Sequence, residues 1–146
     1  MTCMAIKLKY FCDFFLMMAI YFMASSVSFG QLVEVDQKLE NCLKNTDKNV
    51  IQLDCIEEAI ELYQNEINVL YTSICDAIKE KNHKKQFIAA QKQWNKFKLK
   101  EYEMIDGYIK NPVLTNTFNV LTSHSKLQIL RDRTGNLMDY YSVIKL

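Results

Sequence analysis

Between residues 50 and 81 the apolar side chains Ile56, Ile60, Tyr63, Ile67, Leu70, Ile74 and Ala77 step by alternating fours and threes, and no other feature constrains the fold as tightly. That spacing keeps returning to one stripe of an α-helix. Glu57, Glu58, Glu61, Gln64, Asn65 and Glu66 occupy the other faces, so the stripe calls for an antiparallel neighbour. After a short polar break at residues 80–85, the run Phe87, Ala90, Trp94, Phe97, Met104 and Tyr108 repeats the stepping, interrupted by Glu101, and supplies that neighbour. Pro112 ends this helix, because it lacks an N–H and biases Asn111 away from helical geometry. A third run follows in Leu127, Leu130, Thr134, Leu137, Tyr141 and Ile144. Gly135 lowers the helix propensity there by about 1 kcal/mol relative to Ala, or admits a close neighbour. With three Gly and one Pro in 146 residues, a hairpin-rich sheet lacks its turns. The expected fold is all-α: a small antiparallel helical bundle built on a long helical hairpin, with residues 31–45 as a shorter helix or ordered arm.

The N-terminus reads differently. Lys7 and Lys9 precede an apolar run of 11 residues, from Phe14 to Ala24, which small and polar residues close through Gly30. That is the layout of a secretory signal peptide. The run is well short of the ~20 residues that span a bilayer, which leaves an uncleaved anchor as the lesser alternative. Ser28 and Gly30 place cleavage before Gln31, and residues 24–26 offer an earlier site. The expected organisation is a signal peptide over 1–30 and a single domain over 31–146, in a periplasmic or secreted protein with no stable membrane insertion after cleavage. The 18 basic residues less Lys7 and Lys9, and the 17 acidic less Asp13, leave 16 of each. A neutral balance carries no footprint for nucleic acid.

Export also fits the cysteines. Cys3 and Cys12 leave with the signal peptide, and Cys42, Cys55 and Cys75 enter an oxidising compartment. Cys55 and Cys75 lie on one predicted helix, ~30 Å apart at 1.5 Å per residue, so Cys42 is a partner in any intrachain bridge.

The polar residues on the first two helices form a signature. Ile67, Asn68 and Tyr71 stand in one, and Gln91, Trp94 and Phe97 in the next; Arg133, Thr134 and Leu137 follow near the end. In order and spacing these resemble the LprI-type lysozyme inhibitor family, whose pattern runs Leu-Asn-x-x-Tyr, Gln-x-x-Trp-x-x-Phe, then Arg-Thr-x-x-Leu. The resemblance covers roughly residues 42–137. Ile67 replaces the usual Leu, Gln64 stands where an Asp is common, Lys98 where an Arg often follows, and Tyr102 and Ser125 where cysteines are expected. The resemblance implies a Cys42–Cys55 disulfide, because these match the family's two upstream cysteines and both downstream ones are missing. Cys75 is then a small buried thiol, or else an intermolecular link.

The resemblance further implies an inhibitor that binds lysozyme at its cleft, a protein partner rather than a cofactor. An inhibitor needs a projecting loop or helix end, and residues 80–85 and 106–117 are the exposed candidates. The rival expectation is a structural or adaptor module of the cell envelope that never touches lysozyme. Asn68, Gln91 and Trp94 are expected to form a hydrogen-bonded cross-helix cluster with Tyr71 beside it, which Arg133 joins through a carboxylate such as Glu101 or else stays solvated. No enzyme is expected: His83 and His124 have no evident nucleophile, and Cys75 with His83, though on one helical face, lacks a third orienting group. Two histidines without ligand spacing make no metal site, and no Gly-rich phosphate loop is present.

Overall fold

The computed structural model describes residues 27–109 and 116–145, with side chains over 32–107 and 118–145. Four helices account for nearly all of them: α1 Val27–Lys44, α2 Asn49–Ala77, α3 Lys81–Ile109 and α4 Asn116–Ile144. No strand occurs among the described residues, so the fold is all-α. Two compact units divide the chain, Met1–Glu34 and Val35–Leu146. The expected signal peptide lies largely outside the described residues, and its last four, 27–30, begin α1. A cut before Gln31 therefore falls inside that helix. Among the described residues no helix is long and apolar enough to cross a membrane.

In the larger unit the first apolar stripe becomes the core. Ile56, Ile67 and Ile74 are fully enclosed, with Tyr63 and Leu70 beside them, and each such aliphatic side chain contributes roughly 1.5–3 kcal/mol of burial. Their partner is not the one the periodicity suggests. α2 packs chiefly against α4 and touches α3 sparsely. Side-chain pairs fix the directions: Lys98 with Gln64 and Phe87 with Tyr71 set α3 antiparallel to α2. Lys126 with Asp106 and Arg133 with Gln91 set α4 antiparallel to α3. Helices α2 and α4 therefore run parallel.

The choice of partner follows from what each helix offers. Helix α4 presents Val120, Leu127, Leu130, Thr134 and Leu137, all buried, a nearly continuous apolar ridge. Helix α3 turns a different stripe inward than expected. Phe87, Gln91 and Ile105 are buried, and Trp94, Lys98, Glu101 and Tyr102 are half-buried between them. This face also steps by fours and threes, but it is polar. Ala90 is exposed, Phe97 and Met104 are each 52% exposed, and the side chain of Tyr108 is outside the described set. The core assignment of Phe97 is thus corrected: the more polar stripe wins because its amide and cations find partners across the interface.

Short connections hold the corners. Between α1 and α2, Gln52 Nε2 donates to the Thr46 carbonyl at 3.0 Å, and Cys42 is bonded to Cys55. Between α2 and α3, the Glu80 carboxylate accepts the N–H groups of Asn82 at 2.8 Å and His83 at 2.5 Å. It thereby satisfies first-turn donors that no intrahelical carbonyl reaches, and these bonds hold the Glu80 carboxyl below its usual range. Since α3 begins at Lys81, residues 81–85 are helix and project no loop.

Candidate functional site

The signature residues divide into a buried tie and the wall of an open hollow. Gln91 is 6% exposed. Its Oε1 accepts both Arg133 Nη2 at 2.5 Å and Arg133 Nε at 3.1 Å. The same guanidinium lies 5.4 Å from the centre of the Trp94 ring. Arg133 therefore joins the cluster through Gln91 and not through Glu101. Burial draws the Arg133 pKa downward, since its hydrogen-bond partner is a neutral amide that does not repay the lost hydration as a carboxylate would.

From Trp94 the cluster continues as alternating cations and rings. Lys98 Nζ sits 5.3 Å from the centre of the Trp94 ring and 6.0 Å from that of Tyr102, and Lys126 Nζ lies 5.4 Å from the centre of the same Tyr102 ring. Lys98 donates to Gln64 Oε1 and Lys126 pairs with Asp106, each at 2.5 Å. Burial lowers Lys98 and pushes the Tyr102 phenol up to about 12. Cations over ring faces of this kind contribute roughly 0.5–1 kcal/mol each where solvent still reaches them. The spacing Trp94, Lys98, Tyr102, four residues apart each time, is the one signal in the sequence that announces this ladder.

Asn68 stands apart from the tie. Its side chain is exposed and its carbonyl accepts from Thr72 Oγ1 at 3.0 Å. The expected Asn68–Gln91–Trp94 hydrogen-bonded cluster is corrected accordingly: Asn68 sits on the α3-facing edge of α2, where the two helices approach too sparsely for its amide to bridge. What that gap leaves is a hollow of about 260 Å³, lined by Asn68, Tyr71, Ile88, Gln91, Lys92 and Asn95. Tyr71 stacks on Phe87 at 5.7 Å, and Phe87 on Tyr140 at 5.6 Å. Tyr140 meets His83 by hydrogen bond, tying the α2–α3 corner to α4. Burial, then the adjacent Cys75, raise the Tyr71 pKa. Cys75 is half-buried with a free thiol, not the enclosed residue expected.

A second cluster fastens α1. Tyr63 donates its hydroxyl to Asp36 Oδ1 at 2.8 Å, and Arg131 Nη2 reaches the same oxygen at 2.5 Å while its guanidinium covers the Tyr63 ring. Burial and then the Asp36 bond raise Tyr63; burial and then the Arg131 charge lower His124.

On the α3–α4 side of the bundle, Met104 of the displaced stripe helps to form a groove of about 510 Å³. Met104, Ile105, Phe118, Leu121 and Ile129 line it, and Glu101 and Asp132 stand at its edge. Met104 and Leu121 are 52% and 59% exposed. No Lys or Arg lines the groove among the described residues. Among those residues there is also no group of three or more His, Cys, Asp or Glu placed to hold a metal ion. Comparison with known proteins gives no match: no family model, no curated protein and no solved structure corresponds to this chain.

Proposed function

We propose that this protein is an exported helical binding module that captures a cationic protein partner, with lysozyme, the target implied by the LprI-type resemblance, as the first candidate. The observation that carries the reading is the groove between α3 and α4: five apolar residues beside two carboxylates, with no cation among the described lining residues. Exposed apolar surface gathered in one place marks a site of association, and the acidic edge selects a basic surface to approach it. The Cys42–Cys55 bond suits an oxidising compartment outside the cytoplasm. Residues 80–85 serve less well as a contact, because they belong to a helix start and four of the six are Lys or His.

A lysozyme turnover assay with increasing amounts of the purified chain tests the reading, run beside capture of cationic proteins from an envelope extract. The reading predicts saturable inhibition that Leu121→Asp weakens about tenfold or more, as loss of a buried interface anchor does. Capture of a basic envelope protein without inhibition leaves the same groove serving the adaptor role. Inhibition that Leu121→Asp leaves unchanged refutes the groove as the contact.

A further inference from the structure

We propose that the hollow between α2 and α3 is a second binding site, distinct from the groove, that takes a carboxylate. Gln91 supplies the first recognition group. Both Arg133 donors converge on its Oε1, which fixes which end of the amide is which and fills the acceptor end. Its Nε2 donors have no partner among the described residues. They are also not sealed off, since the one fully enclosed side-chain donor lacking a partner there is Arg131 Nε. An amide 6% exposed thus offers its free donor to the hollow it lines.

The other walls agree in sign. Lys92 brings an ammonium, Asn68 and Asn95 bring amides that donate or accept, and no carboxylate lines the hollow among the described residues. Arg133 stands behind Gln91 and polarises the amide through its oxygen, which makes the N–H a stronger donor to an anion. Tyr71 and Ile88 supply an apolar wall for the body that carries the charge. At about 260 Å³ the space lies just below the usual range for drug-sized ligands. It suits a small organic acid or the C-terminal carboxylate of a peptide. Both present the same two oxygens to Lys92 and the Gln91 amide.

The test titrates the full chain with three probes: acetate, acetylated dialanine with a free C-terminus, and the same dipeptide as its C-terminal amide. Proton–nitrogen correlation spectra follow the side-chain amide signals of Gln91, Asn68 and Asn95. The proposal predicts saturable shifts of all three with the free acids and none with the amide. Lys92→Gln is expected to weaken binding about tenfold, the worth of one charge-assisted hydrogen bond, while Lys92→Arg retains it. Lys92 is exposed, so neither variant threatens the fold. Tighter binding of the dipeptide acid than of acetate assigns the site to peptide termini, and equal binding assigns it to small acids. Absence of saturable shifts, equal shifts with the amidated dipeptide, or unchanged affinity in Lys92→Gln overturns the proposal. Because the groove plays no part in these readings, the result stands whether or not lysozyme is bound.

Discussion

Replacing Arg133 by Met removes the guanidinium and keeps most of the apolar stem, so it isolates the polar tie between α3 and α4. Two donors reach one Gln91 oxygen at 2.5 and 3.1 Å, and a hydrogen bond from a charged group contributes roughly 1.5–3 kcal/mol. The contact with Trp94 at 5.4 Å adds roughly 0.5–1 kcal/mol. Desolvation of the half-buried guanidinium, visible in its lowered pKa, offsets part of both. The expected cost is about 2–3 kcal/mol, a large share of the ~5–15 kcal/mol that holds a domain together. Guanidinium denaturation followed by far-UV circular dichroism measures it, with the denaturant slope unchanged if only the tie is lost. Gln91→Leu alone strands the guanidinium, but combined with Arg133→Met it leaves an apolar pair. The double-mutant cycle should therefore return a coupling of about 1–2 kcal/mol. A cost for Arg133→Met within about 0.5 kcal/mol, the range of ordinary surface changes, or a cycle without coupling, would show that the Arg133–Gln91 tie does not hold α3 to α4.

Gly135→Ala should stabilise α4 by about 0.5–1 kcal/mol, because no atom lies within 4 Å of the Cβ it would gain; a lowered melting temperature would contradict this. Non-reducing peptide mapping should recover Cys42 joined to Cys55, with Cys75 open to alkylation in the folded chain. Reducing that bond should cost ~3 kcal/mol in the chain-entropy model and speed amide exchange first in α1. Tyr102 should be the last described tyrosine to ionise, near pH 12, in an ultraviolet titration that loses its final step in Tyr102→Phe. A phenol whose folded pKa is raised contributes stability in full below its unfolded value near ~10 and loses it as pH rises through the folded value. The folded chain should therefore weaken between those two limits, and less steeply in Tyr102→Phe.

Periodicity made α2 and α4 legible, because Ile56, Ile67, Ile74, Leu127, Leu130 and Leu137 stand on the predicted apolar stripes and all are buried. It failed on α3 for an identifiable reason. Two stripes there share the same spacing, and the more apolar one, with Phe97 and Met104, lies outside, while Gln91, Lys98 and Tyr102 turn inward. A hydrophobic pattern records transfer free energy only, and cannot register that Gln91 meets Arg133 or that Lys98 meets two rings, since those partners lie 42 residues away or on another turn. The pairing of α2 with α4 was hidden likewise, because sequence neighbours are the default choice and only the polarity of the inner α3 face argues against it. The motif residues were readable as a group, yet their division was not: Gln91, Trp94 and Arg133 hold helices together, whereas Asn68 and Tyr71 border open space. The groove was invisible in the sequence because Met104 was assigned to the core and Ile105, Phe118, Leu121 and Ile129 lie off the predicted apolar stripes.

Capture of a cationic partner by the α3–α4 groove can be followed by adding lysozyme to the methyl-labelled chain and recording every methyl signal. The groove reading predicts that Met104, Leu121 and Ile129 shift saturably while the enclosed methyls of Ile56, Ile67 and Ile74 stay in place. Shifts confined to another face, or none with lysozyme or with any basic protein recovered from the envelope, would contradict it.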